Sequence, residues 1–147
     1  GQVYDHFAVE FEYPGGITMN SQARQINGCR NLVGEEVIGS KGRSNCKDWI
    51  GPKSGESWSY RGKDASAYRQ EHEDLMASIR DGKPINDAQA VAEATMTGII
   101  GREAAYSGQM IEWDEAMKSE TRLGPTEYTF GDLETAPVPM PGTYRFS

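Results

Sequence analysis

The feature that most constrains this chain is a strict two-residue alternation near its start. Phe7, Val9, Phe11 and Tyr13 share one phase, while His6, Ala8, Glu10 and Glu12 share the other. Such alternation marks a strand buried on one face. Pro14, Gly15 and Gly16 follow as a turn, and Ile17, Met19 and Ala23 set the phase of a second strand reaching about residue 26. Register decides the loop length. A three-residue loop sets Tyr13 opposite Ile17, Phe11 opposite Met19 and Phe7 opposite Ala23, whereas a two-residue loop would set Phe11 opposite Asn20. A one-residue slip turns a whole face over, so the three-residue loop is predicted. It also puts His6 opposite Arg24 and Glu10 opposite Asn20 on the polar face.

Residues 28–30 read as a connection, 32–39 as a third strand and 40–42 as a turn, with a fourth strand starting near Ser44. Residues 51–55 form a Pro/Gly/Ser loop and 58–60 a short fifth strand. The period then changes. Tyr68, His72, Leu75, Met76 and Ile79 fall at helical spacing, which predicts an amphipathic helix from about Ala65 to Asp81, stopped by Gly82 and Pro84. Asn86 is placed to cap a second helix, with Gln89 in the reciprocal position of a capping box. That helix runs to about Ser107, and its Ala and Gly content predicts close packing on a sheet or another helix. Gly108 ends it. Residues 110–112 read as a short strand, and Asp114 as the cap of a helix of one or two turns. Strands first and helices afterwards give an α+β domain over residues 1–120: an open antiparallel or mixed sheet with helices on one face. The face carrying Glu10, Glu12, Gln22 and Arg24 is left uncovered. Residues 121–147 form an extended Pro/Gly-rich tail.

Composition narrows the function. A chain of 147 residues fits one domain with one core, and aromatic residues at 10% compensate for a hydrophobic fraction of only 37%. No apolar run is long enough to span a membrane. Acidic residues number 22 against 15 basic ones, for a net charge of -7, which argues against a nucleic-acid partner. The basic cluster of Lys41 and Arg43 is interrupted by Gly42 and reads as a turn. Cys29 and Cys46 are too few for a disulfide framework and read as free thiols.

Motifs for chemistry are scarce. With only His6 and His72, and no HxxxH or CxxC pair, no metal site is predicted. On a helix Glu71 and Asp74 share a face, which leaves His72 in the apolar stripe with Tyr68 and Leu75. A core or cleft-edge histidine holding a hydrogen bond is favoured there over a catalyst. GxSxG, GxGxxG and a Walker loop are all absent, and neither Cys has a basic neighbour to activate it. Glu35 and Glu36 are adjacent on a strand and face opposite ways, so they do not act as paired carboxylates. His6 and Arg24 form a cross-strand pair suited to an anion or sugar hydroxyls, although a solvated or subunit-buried pair is the favoured reading. The residues alone predict a soluble, acidic sheet-plus-helix domain with no self-contained active site.

Several segments together resemble one family. YDHFAVEFEY at 4–13, CRN at 29–31 leading into EVIGSKG at 36–42, and YRQEHEDL at 68–75 followed by residues 79–84 are similar to segments of Gfo/Idh/MocA oxidoreductases of the Bacteroidetes and Planctomycetes type. TMTGIIGR at 95–102, AYSG at 105–108 and WD at 113–114 continue the likeness in order and spacing. The resemblance implies the C-terminal, substrate-side domain of such an enzyme, as in glucose-fructose oxidoreductase-like dehydrogenases. In that family an N-terminal Rossmann domain binds NAD or NADP, and hydride passes between a sugar or cyclitol carbon and the nicotinamide. The implied Rossmann half and the family's proton-transfer Lys lie outside this chain, so no cofactor is expected here and NAD or NADP is expected in the parent. The family's DxxxH helix motif is also absent, and Asp5-His6 and His72 do not fit it, so no catalytic residue is carried over. Substrate-binding candidates are Cys29 and Asn31, which align with a cleft-facing segment, and Arg24 and Gln25 near the same strand ends. The expected partners are the Rossmann half and further copies through the sheet face, with no nucleic acid and no membrane. The sequence does not assign a compartment: the resemblance is compatible with a cytoplasmic parent, or a periplasmic one where it carries a twin-arginine signal. Two alternatives carry different chemistry: the same domain from a glycosidase using tightly held NAD, and a stand-alone dimerising or sugar-binding module.

Overall fold

The opening alternation forms the expected hairpin. In the computed structural model, which describes residues 3–62 and 66–147, β1 (His6–Tyr13) pairs antiparallel with β2 (Ile17–Arg24). Tyr13 faces Ile17, Phe11 faces Met19, Phe7 faces Ala23 and His6 faces Arg24, which is the three-residue-loop register. The loop needs two left-handed residues, supplied by Gly15 at φ 84° and Gly16 at φ 75°. A second, four-stranded sheet has the order β3 (Val37–Gly39), β4 (Gly42–Ser44), β5 (Trp49–Pro52), β6 (Trp58–Ser59), each neighbour antiparallel. Three helices complete the described elements: α1 (Ala67–Asp81), α2 (Ala88–Ser107) and α3 (Trp113–Ala116). The class is α+β with open antiparallel sheets.

Contacts divide the chain into two units, residues 1–28 with 86–147 and residues 29–85. The first unit holds β1, β2, α2 and α3. Its core lies where α2 crosses β1: Phe7, Val9 and Phe11 are the half-buried positions of β1, alternating with exposed ones, and Ile100, Gly101, Glu103, Tyr106 and Ser107 are the buried positions of α2. These α2 positions recur at spacings of three and four, the stripe that faces a sheet. The irregular segment after residue 121 belongs to this unit as well. The Tyr4 hydroxyl donates to the Pro139 carbonyl at 2.6 Å, and the Gly142 N–H donates to the Ser107 carbonyl at 2.9 Å.

Two glycines on α2 have opposite meanings. A Cβ on Gly101 would lie 2.7 Å from Phe11 Cζ, so the absence of a side chain lets the β1 ring sit against the helix. A Cβ on Gly98 would meet nothing within 4 Å. Gly98→Ala is therefore expected to stabilise the unit by about 1 kcal/mol through helix propensity. Gly101→Ala gains the same term but loses about 1–3 kcal/mol to overpacking, so it is expected to destabilise. Urea denaturation of the two variants checks this; a stabilised Gly101→Ala protein would show that the Phe11 ring does not rest there.

The second unit holds the four-stranded sheet and α1. The sheet is tightly built at one point: a Cβ on Gly42 would stand 2.5 Å from the Gly51 carbonyl oxygen and 2.8 Å from Pro52 Cα. Helix α1 is well terminated. Ser66 caps it by accepting from Arg69 N–H at 3.4 Å. Gly82, left-handed at φ 63°, donates to Ile79 while Lys83 donates to Ser78, the pairing of a Schellman motif. Ala65, where the sequence places the start of this helix, lies outside the described residues.

Several expectations are corrected. The third strand covers only Val37–Gly39, not 32–39. Leu32 and Val33 are exposed, and no neighbouring strand pairs with that stretch among the described residues. The fourth strand, Gly42–Ser44, ends at Ser44 rather than starting near it, and Gly51 and Pro52 complete a strand, Trp49–Pro52, rather than open a loop, because the reversal falls earlier: Asn45 Oδ1 accepts from the Lys47, Asp48 and Trp49 N–H groups. Residues 110–112 form no strand. The capping box at Asn86 does not form. Asn86 Oδ1 accepts from Ala88 N–H at 3.2 Å, while Gln89 donates forward to Glu93. Asp114 lies inside the first turn of α3, whose cap position is Glu112. His72 keeps the expected hydrogen bond, to the Tyr68 carbonyl at 2.7 Å, but is exposed rather than buried. Among the described residues no strand or other helix contacts the helix that carries this stripe.

Even as two separate, self-contained units, folded chains of these sizes would expose roughly 9,000 Å² together. This chain exposes 13313 Å². Large apolar side chains stay uncovered in both units, among them Tyr128 and Phe130 in the first and Leu32, Val33 and Tyr68 in the second.

Candidate functional site

The polar centre of the first unit is built around Glu103. Its carboxylate lies on the buried stripe of α2 between Ile100 and Tyr106 and is 0% exposed. A buried carboxylate is costly unless paired and hydrogen-bonded, and both oxygens are engaged here. Oε1 is paired with the Arg102 guanidinium, and Oε2 accepts from the Tyr144 hydroxyl at 2.7 Å. Arg102 also stacks over the Tyr106 ring at 4.6 Å. Tyr106 in turn packs against Tyr4 and Phe7 with ring centroids 5.1 and 5.7 Å away. No buried side-chain polar atom among the described residues lacks a partner.

Burial pushes the Tyr144 phenol up to about 12, helped by its hydrogen bond to Glu103 and by repulsion from that carboxylate, with Arg102 opposing. A raised phenol retains its proton in the folded state after the unfolded chain has lost it. Its contribution is therefore complete below about pH 10 and is lost as pH rises through about 12. Tyr144→Phe is expected to flatten the fall of stability across that window, read from denaturation midpoints at successive pH values. An unchanged fall would place the alkaline transition elsewhere.

Beside this cluster lies an open cleft of about 900 Å³. Arg102, Arg122, Thr135 and Tyr144 contribute polar groups to its lining, and Leu123, Leu133, Val138 and Met140 apolar ones. The cleft offers contact surface and hydrogen-bond donors. Both Glu103 oxygens are already engaged, by Arg102 and Tyr144, and a second carboxylate, Glu134, also lines the cleft.

The residues singled out from sequence lie elsewhere. Arg24 ends β2 opposite His6 on the exposed face of the hairpin. His6 Nδ1 is 2.7 Å from Asp5 Oδ1, and the Gln25 N–H donates to the Asp5 carbonyl at 2.7 Å. Asp5, His6, Arg24 and Gln25 are thus neighbours at the open end of the hairpin. Cys29 and Asn31 belong to the second unit, in an exposed irregular segment, and both Cys29 and Cys46 are free thiols. Glu10, Glu12, Gln22 and Arg24 are all exposed, so that hairpin face is uncovered. Glu35 and Glu36 precede β3, and Glu36 pairs with Arg43 at 3.6 Å. No group of three or more His, Cys, Asp or Glu that could hold a metal occurs among the described residues. No helix among them is long and apolar enough to cross a membrane.

Sequence reasoning missed Arg102, Glu103 and Tyr144. One signal was present: Glu103 falls on the apolar stripe with Ile100, Tyr106 and Ser107, where a carboxylate demands partners. Nothing in the spacing pointed to Tyr144, which lies 41 residues further on.

Compared with protein-family models, curated proteins and solved structures, the chain finds no match.

Proposed function

We propose that this chain is the substrate-side and oligomerisation domain of an NAD(P)-dependent sugar or cyclitol dehydrogenase, with the nucleotide supplied by a Rossmann half in the parent protein. The observation that carries the proposal is the β1–β2 hairpin. β1 is held by α2 on one face, β2 touches no helix and is exposed along its length, and the opposite hairpin face presents polar side chains at strand spacing. Such a face suits a cleft wall or a subunit contact. The ordered sequence likeness to Gfo/Idh/MocA proteins supplies the reaction class. Arg24 and Gln25, at the open end of the hairpin, and Cys29 and Asn31 in the second unit are the substrate-binding candidates. Gln and Asn carry planar amides that both donate to and accept from vicinal hydroxyls, and Arg carries a planar fork of donors.

The chain alone is expected to bind neither NAD nor NADP. Calorimetric titration yielding micromolar binding of either would overturn the division of labour. The longer polypeptide of the same reading frame should reduce NAD or NADP with a sugar or cyclitol; a reading frame with no nucleotide-binding half would refute the proposal. NAD that stays bound through turnover would point instead to the glycosidase reading.

A further inference from the structure

The second unit contains two apolar surfaces that do not meet. Helix α1 touches no strand or other helix among the described residues. Tyr68, Leu75, Met76 and Ile79, its apolar stripe, are all exposed, Tyr68 by 80%. A lone helix of 15 residues is marginal in water however well it is capped. Its stripe therefore needs a surface to lie on.

The four-stranded sheet offers one. The register Val37↔Ser44↔Ile50↔Trp58 puts these four side chains on the same face. Val37, Ile50 and Trp58 are each about half exposed. Gly39, Gly42 and Pro52 form the next row on this face, and with Val37, Ser44 and Ile50 they line a shallow trough of about 460 Å³. The opposite face is closed at its centre, where Trp49 lies over Gly51 and Arg43 stacks on the Trp49 ring at 5.3 Å.

We propose that α1 of one copy packs into the sheet trough of a second copy, and reciprocally, so that the second unit forms a two-fold dimer by exchanging helices. Charge fits this pairing. Lys41 and Lys53 sit together at the β3–β4 end of the sheet, where the Lys53 N–H donates to the Lys41 carbonyl at 2.9 Å. Glu71 precedes Leu75 by one turn and flanks the stripe, with Asp74 three residues on. None of these four charges has an ion-pair partner among the described residues. An isologous dimer makes the same contact twice, so both unpartnered surfaces are covered at once. The proposal stands on the second unit alone and is independent of the dehydrogenase reading.

The test is light scattering on the full chain. Ile79→Glu on the helix and Ile50→Glu on the sheet should each halve the mass. Mixing the two variants should restore a dimer with one intact helix-in-trough contact, an outcome that helix–helix or sheet–sheet pairing does not give. Charge reversal tests the same geometry without touching the apolar contacts. Lys41→Glu with Lys53→Glu, or Glu71→Lys with Asp74→Lys, should each weaken association by about tenfold, and all four together should restore it. A monomer at high concentration, dissociation by the sheet variant alone, or no rescue by the combined charge swap would each overturn the proposal. Charge changes at Glu10 or Arg24 on the hairpin should leave this contact unchanged, which separates it from any association through that face.

Discussion

Replacing Tyr106 with alanine is expected to unfold the hairpin-and-helix unit, at a loss of about 3–5 kcal/mol. The side chain is 1% exposed and joins more parts of the unit than any other. Its ring meets Tyr4 before the hairpin, Phe7 within β1 and the Arg102 guanidinium one helical turn away. The Tyr106 hydroxyl also accepts from the Tyr4 N–H at 3.4 Å. Truncation opens a ring-sized cavity beside Glu103, whose buried carboxylate is held by Arg102 and Tyr144. The buried apolar residues of this unit are few, Ile100, Tyr106 and Ala116, so one loss is a large fraction of the whole. Loss of near-ultraviolet circular dichroism and of the cooperative urea transition is the expected readout. A variant retaining a transition within about 1 kcal/mol of the parent would place the core elsewhere.

The second large effect is expected at Arg102, and it is asymmetric. The Glu103 side chain is 0% exposed, whereas that of Arg102 is 38% exposed. Arg102→Met leaves a buried carboxylate supported by the Tyr144 hydroxyl alone and should destabilise by roughly 3–5 kcal/mol. Removing the carboxylate is milder, because a half-exposed guanidinium can turn toward water. Glu103→Gln, which still accepts from Tyr144, should lose only about 1–2 kcal/mol. The double variant Arg102→Met with Glu103→Leu should recover part of the loss by removing both charges together. Denaturation of the three proteins gives the ranking, and an Arg102→Met protein milder than Glu103→Gln would reverse the argument. Tyr106 and Arg102 stack on each other, so their losses should not add.

The parts of the fold that were legible in the sequence are those set by local chemistry. The β1–β2 register follows from alternation and the Pro-Gly-Gly turn, and all five cross-strand pairs named from it occur. The end of α1 at Gly82 and of α2 at Gly108 follows from the left-handed conformation that glycine accepts there. The short strands were less legible. Val37–Gly39 and Trp49–Pro52 are too brief for periodicity, and the Asn45 turn between Ser44 and Trp49 depends on one side-chain oxygen gathering three N–H groups. The Glu103 cluster was illegible for a different reason. Its members are brought together from α2 and the far end of the chain, a closure that no local spacing encodes. The hairpin-end neighbours Asp5, His6, Arg24 and Gln25 were partly legible, because strand register alone fixes which of them face each other.

The first unit is discontinuous: the hairpin precedes the second unit in the chain and α2 follows it. During synthesis this sets an order of events. The hairpin leaves the ribosome with Phe7, Val9 and Phe11 facing no helix, and a two-stranded hairpin by itself is marginal in water. About 60 residues must be translated before α2 begins and about 60 more before Tyr144 can close on Glu103, which takes seconds at about 5–20 residues per second. The second unit is continuous and is complete before α2 is made. The apolar face of the nascent hairpin thus stays uncovered for that interval, and slowing translation between the two units should lengthen it.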